Sequence, residues 1–208
     1  MRNLLRALAW GAGILGVILG VLYAAVFDTW VVPGDEAMLR VALEPNIRPG
    51  DRILVKRGGT PRYHELVRCD DPEAPGRFVV GRLVGVGRDK VEINNERVIV
   101  NGKRNPSPRG CGTQVLTHPT TGQEAKLTCA VEDSGASEYN ILVHPEHAES
   151  PRTAAVEEGR AYLIGDNRHF HLDSRDFGTV AADSCHHIVF RLWGESYGES
   201  SRRFNFIW

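Results

Sequence analysis

The sequence predicts a mainly β fold, an antiparallel β-sheet domain with an inserted subdomain, carried behind one N-terminal transmembrane helix. Three observations predict it. Ala7 to Phe27 is an uncharged apolar run, the chain after it is cut into short β-branched segments by turn residues, and no long segment of 3.6-residue period follows. With 208 residues, 42% hydrophobic and 25% charged, there is apolar material for one core, or one core with a sizeable insertion. The formal net charge of -1 supplies no basic face, so nucleic acid is not an expected partner.

The apolar run, "ALAWGAGILGVILGVLYAAVF", reaches about 30 Å as a helix, enough to cross the hydrocarbon layer of a bilayer. Arg2 and Arg6 precede it and Asp28 follows it, so the excess of positive charge places the short N-terminal tip in the cytoplasm and the main domain outside. A cleaved secretory signal has a shorter apolar stretch and ends in an A-x-A-like site, whereas "LYAAVFD" is a poor match. Residues 1–28 therefore read as cytoplasmic tip and uncleaved anchor.

Beyond the membrane the compartment is oxidising, which permits disulfides. Of Cys69, Cys111, Cys129 and Cys185, the pair Cys111 and Cys129 brackets a turn-rich stretch and is the disulfide candidate, other connectivities staying open. No C-x-x-C spacing occurs, so structural zinc is not expected.

Residues 29–103 form the first part of a core. "RILVKR", "FVVGRLVGV" and "KVEINNERVIVNGK" read as strands and hairpins, with Asn94-Asn95 and Asn101-Gly102 supplying residues that tolerate left-handed turn conformations. Residues 104–158 turn polar and Pro/Gly-punctuated, with weaker strands such as "YNILVHP", and read as an inserted subdomain. Residues 159–208 resume the core with "RAYLIGDNR" and "HHIVFRLWG", the latter alternating Ile188, Phe190 and Leu192 against Val189, Arg191 and Trp193. The tail "RRFNFIW" places Phe204, Phe206, Ile207 and Trp208 beside Arg202 and Arg203, a composition suited either to a membrane interface or to a terminal strand on the core.

Four segments, "GDEAM", "GDRILV", "FVVGRLVGVGRDKVEI" and "GDNRHFHLDSRDFG", occur in the order and approximate spacing of the motifs of bacterial signal peptidase I, the leader peptidase family, which this chain resembles over most of Val31 to Trp193. The strongest element is Gly165-Asp166-Asn167-Arg168 followed by Asp173-Ser174-Arg175 and Phe177-Gly178. It resembles the family's G-D-N-R-x-x-S-x-D-S-R-x-W-G segment, with His171 at the first Ser and Phe177 at the Trp. The resemblance implies a peptidase of the bacterial cytoplasmic membrane that removes export signals from pre-proteins by a Ser/Lys dyad and needs no cofactor. A serine attacks the scissile carbonyl after a lysine, kept neutral by apolar surroundings, takes its proton.

Matched residue by residue, the family's S-G-S-M reads Asp35-Glu36-Ala37-Met38 and its K-R-V-x-G reads Gly81-Arg82-Leu83-Val84-Gly85. Both dyad positions, Ala37 and Gly81, are replaced. The oxyanion-donor position is Asp35, whose carboxylate opposes the developing negative charge, and the serine that supports the lysine is His171. Losing one oxyanion donor costs about 100- to 1000-fold, and losing the nucleophile about a million-fold. No displaced dyad is evident: 30–59 holds no Ser or Thr, and Lys56 and Lys90, the nearest lysines to Gly81, read as solvated strand-end charges.

A metal or a histidine base drawn from Asp35, Glu36, His169, His171 and Asp173 is a different chemistry for the same place. No ligand spacing such as H-E-x-x-H supports it, so Asp35 and Glu36 read as a solvated turn, His169 and His171 as surface loop residues, and His186-His187 as an exposed pair. In the resemblance, Asp173 and Arg175 form a buried ion pair, and Asp166 with Asn167 bonds loop backbone. The expectation is an inactive homologue that binds exported polypeptides or a membrane partner. A working signal peptidase with another nucleophile, and a structural envelope component, remain as alternatives.

Overall fold

The structure, a computed structural model, describes residues 2–107, 109–146 and 150–207, with side chains from residue 9 onward; Trp208 lies outside the described residues. Helix α1, Arg2–Val26, contains an apolar window, Ala9–Val26, long enough to cross a membrane. Phe27, expected in the anchor, instead starts strand β1 (Phe27–Val31). The change of structure falls where β-branched and aromatic residues replace Gly, Ala and Leu, and where Asp28 brings the first charge.

The elements that follow are helix α2 (Leu39–Ala42), β2 (Arg52–Lys56), β3 (Leu66–Asp70), β4 (Phe78–Val86), β5 (Lys90–Asn94), β6 (Arg97–Val100) and β7 (Lys103–Arg104). Then come β8 (Arg109–Thr117), β9 (Glu124–Asp133), β10 (Glu138–Val143), β11 (Arg152–Ala155), β12 (Arg160–Ile164), helix α3 (Ser174–Phe177), β13 (Val180–Ala181), β14 (His186–Trp193) and β15 (Asn205–Phe206). The main sheet is eight-stranded, ordered β1-β2-β14-β3-β4-β12-β13, with β15 added on β14. β5, β6 and β7 form a second sheet with β11, and β8, β9 and β10 form a third.

β4 is buried along nearly its whole length, as the Val, Gly and Leu residues on either side of Arg82 require. One face of the main sheet packs Ile53, Val55, Leu66, Val80 and Ile188 against Leu39 and Leu43 of the α2 region; the other packs Val67, Val79, Leu83 and Leu163 against Val180. Turn residues behave as their chemistry dictates at Asn101-Gly102, which takes positive φ at both positions. In the β5–β6 turn the positive angles fall on Asn95 and Glu96 rather than on Asn94-Asn95.

Two expectations fail for physical reasons. β8 and β9 are long strands, whereas residues 104–158 read as weak ones: most of β8 is exposed, so its composition carries no apolar alternation. The closing strand of that stretch, β11, pairs with β5 and not with β8–β10. The simple alternation along β14 also breaks, because register shifts fall between Ile188 and Phe190 and between Arg191 and Trp193. These shifts turn Arg191 inward, where its Nε donates to the fully buried Asp51 at 3.1 Å beside Arg202.

Cys111 of β8 is bonded to Cys129 of β9, and Cys69 of β3 to Cys185 at the entry to β14. The second bridge closes a sequence separation of 116 residues, which removes far more freedom from the unfolded chain than the 18 spanned by the first. Replacing Cys69 and Cys185 together by serine is expected to lower the unfolding free energy by about 2–5 kcal/mol, and Cys111 with Cys129 by less. Urea unfolding of the full chain in detergent followed by intrinsic fluorescence checks the order.

Candidate functional site

The loop 33–38 leads from β1 into the single turn of α2, and α2 is docked against the loop after β12. Asn167 makes this joint: its backbone N donates to the Ala42 carbonyl at 3.1 Å and its Nδ2 to the Val41 carbonyl at 2.9 Å. The side chain also accepts from the backbone N–H groups of His169 and Phe170. Asn167 therefore bonds backbone on both sides, and Ala37 is carried on a segment fixed to the Gly165–Arg168 loop.

Asp166 behaves differently from the expectation that it bonds loop backbone. Its carboxylate takes a two-point contact from Arg82, at 2.8 and 3.0 Å, and a third bond from Asn46 Nδ2 at 2.7 Å. The Arg82 and Asp166 side chains are 0% and 1% exposed. A charge so deeply buried is tolerated only with a matched, fully bonded partner, and the planar guanidinium supplies one. Arg82 also stacks on Tyr139, whose hydroxyl donates to Glu132, and Glu132 accepts from the buried Arg168 at 3.1 Å. This chain of contacts joins β4, β9, β10 and the Gly165–Arg168 loop.

Asp173 and Arg175 form the buried ion pair that the resemblance implies, with bonds of 2.9 and 2.7 Å. Burial alone pushes the Asp173 carboxyl up; Arg175 and the Gly165 N–H outweigh that and hold it below its usual value. Asp173 also caps α3 in a capping box closed by Asp176, and Ser174 Oγ accepts from the Leu163 N–H at 2.8 Å. The spacing Asp173-Ser174-Arg175-Asp176 is the sequence signal from which that cap could have been read.

The positions matched to the family's dyad and its supports lie as follows. Asp35 and Ala37 are exposed on the loop, and Glu36 approaches Arg77 at 3.8 Å. Met38 is turned inward, against the cluster that Val41, Leu127, Leu142 and Phe170 make under the β8–β9 hairpin. Gly81 is buried in β4, opposite Val67 of β3. A Cβ at Gly81 would come within 3.1 Å of the Leu163 Cβ and 3.2 Å of the Ile164 carbonyl oxygen.

His171 and His169 are not the surface residues expected. His171 is 16% exposed, and its Nδ1 contacts Asp176 Oδ2 at 2.7 Å, so the imidazole nitrogen carries the proton and donates to the carboxylate. His169 is 11% exposed and donates from Nδ1 to the buried Glu96, which also accepts from the His144 backbone N–H. Glu96 is 73 positions from His169, and Asp176, 5 positions from His171, reaches it only through the turn of α3, so neither contact shows as a sequence pattern. His171, Asp173 and Asp176 offer donor atoms within 4.8 Å of one another. Both Asp173 oxygens are already taken by Arg175, Gly165 and the cap, so the trio is held as a helix start rather than as a ligand set. His187 is only partly exposed and pairs with Glu65 at 3.5 Å.

Comparison with known proteins places the site in context. The family described as "Signal peptidase, peptidase S26" matches residues 5–193. The chain is similar to "Signal peptidase IB" of Staphylococcus aureus, 26% identical over 199 residues that make up 91% of this chain and 88% of the relative. It is also similar to "Signal peptidase I V" of Bacillus subtilis, 23% identical over 173 residues, 81% of this chain and 88% of the relative.

His64 sits against this buried network, its Nδ1 3.2 Å from the Tyr139 hydroxyl. Burial lowers its pKa from 6.5, Glu132 opposes the shift, and Arg168 and Arg82 add to it. A base with a lowered folded pKa contributes stability that is complete above 6.5 and is lost as pH falls through the lowered value. His187 shifts the same way, whereas the raised Glu44 carboxyl favours the folded state as pH falls. The unfolding free energy is expected to drop on acidification from pH about 7 to about 5, and His64→Gln is expected to flatten that drop. Denaturant titrations of both proteins across this range give the two slopes to compare.

Proposed function

Because the chain belongs to the signal peptidase S26 family, we propose that it is a membrane-anchored, catalytically inactive member that binds exported polypeptide segments or a membrane partner on the extracytoplasmic side. The observation that carries the reading is the pair of replaced dyad positions. Ala37 presents a methyl group, which has no lone pair with which to attack a carbonyl. Gly81 presents no side chain at all, and Leu163 and Ile164 crowd the direction in which one would leave β4. The exposed Asp35 adds a negative charge where an oxyanion would need a donor.

The framework around these positions supports binding. The Asp166–Arg82 and Asp173–Arg175 pairs hold the loops in place without using a dyad, and β1 lies at an open end of the main sheet, where an extended segment can add as a further strand. The orientation rests on the arginines before the anchor and on the two disulfides, which require an oxidising side.

One observation favours a second reading, that of an enzyme. The His171–Asp176 pair has the arrangement of a histidine base oriented by a carboxylate, and such a pair can activate water where no serine is present. The full chain in detergent, challenged with a pre-protein bearing a small-x-small cleavage site, separates the two. The expected result is saturable binding without cleavage. Specific cleavage by the unmodified protein sinks the inactive reading, and a fall of about 100-fold or more in both His171→Ala and Asp176→Asn then assigns it to the histidine pair. In parallel, Ala37→Ser with Gly81→Lys, and these with Asp35→Ser and His171→Ser, test whether the replacements alone account for the lost chemistry.

A further inference from the structure

A pocket of about 270 Å³ opens between the end of β3 and the C-terminal strand, and nothing in the proposed function uses it. Its walls are apolar: Tyr63, Val189, Phe206 and Ile207, of which Tyr63 and Phe206 are 45% and 60% exposed. It exists because β14 changes partner. β3 pairs with β14 only at His186 and His187, and β15 takes up the same strand again at Phe190 and Arg191, leaving a gap bounded by Glu65 and Arg62 on one side and Ile207 on the other.

The register sets the height of this gap relative to the bilayer. Phe27, the residue after the membrane helix, pairs with Lys56, and Arg57 N donates to the Val26 carbonyl at 2.7 Å. Val55 pairs with Ile188, so Lys56 flanks His187 on the pocket's floor. The pocket therefore opens at the level where the chain leaves the membrane. Of the nearby charges, Lys56 and Arg62 are exposed and form no ion pair among the described residues, while Asp89 accepts from the Tyr63 hydroxyl at 2.6 Å. Glu65 is occupied by the Arg62 N–H and by His187.

We propose that this pocket is a lipid site, which takes the glycerol-proximal part of an acyl chain of an anionic glycerophospholipid while Lys56 and Arg62 meet its phosphate. An apolar slot at the membrane surface, rimmed by an exposed tyrosine and phenylalanine and by unpaired cations, matches the two halves of such a molecule. The inference rests on α1 crossing a bilayer and is independent of whether the protein cleaves or binds polypeptides.

Photo-crosslinking tests it in the full chain, reconstituted in vesicles of phosphatidylcholine alone or mixed with phosphatidylglycerol. p-Benzoylphenylalanine replaces Tyr63 in one variant and the exposed Ala136 at the pocket edge in another. The same probe replacing Ile14 in the anchor reports that insertion and chemistry work, and replacing Thr113 on the exposed face of β8 gives the background. The expected result is a lipid adduct from both pocket variants in vesicles containing phosphatidylglycerol, reduced about five-fold for each of Lys56→Gln and Arg62→Gln. Lipid adducts at the Thr113 background, yields indifferent to phosphatidylglycerol and to both cations, or adducts to a second copy of the chain in place of lipid each overturn it.

Discussion

The ion pair between Arg82 and Asp166 is the constraint around which the rest of the domain is arranged. A guanidinium placed in the middle of a fully buried strand is stable only if a carboxylate meets it in the right plane, and that carboxylate lies in the loop after β12. Fixing the loop fixes Asn167, and Asn167 in turn holds α2 by two bonds to its backbone. The same guanidinium lies 4.0 Å from the Tyr139 ring centroid, so the β9–β10 hairpin is secured by the charge that secures the loop. Removing one partner of such a pair costs about 3–5 kcal/mol, a large part of the stability of an ordinary domain.

The dependence explains how a peptidase framework persists around positions that hold Ala and Gly. The groups that shape the loops bond to one another: Asp166 to Arg82, Asp173 to Arg175, Ser174 to the Leu163 backbone. No bond in this set passes through Ala37 or Gly81. Folding and chemistry are therefore separable here, and the legibility of the Gly165–Gly178 segment reports on folding.

What was readable in the sequence was what is local. β4, β5 and β6 follow from β-branched runs, the β6–β7 turn from Asn101-Gly102, and the anchor from an uncharged run of sufficient length. What was hidden is set by partners far along the chain. Arg82 and Asp166 are 84 positions apart, Glu96 and His169 are 73, and Cys69 and Cys185 are 116. No periodicity connects such residues. β8 was hidden for the opposite reason, since an edge strand exposed on most of its length needs no apolar pattern to pair with β9. The residues at the matched site positions can be read one by one, but the Asp176 contact that orients His171 emerges only once α3 turns the two side chains together.

The crowding at Gly81 has a consequence for what this position can hold. β12 lies close enough to β4 that a Cβ at this position would sit 3.1 Å from the Leu163 Cβ and 3.2 Å from the Ile164 carbonyl oxygen, so that a neighbour must give way slightly. A larger residue here carries the cost of overpacking, about 1–3 kcal/mol, before it makes any new contact. The spacing of β4 and β12 thus acts as a gauge on side-chain size, set by backbone rather than by any group that takes part in chemistry.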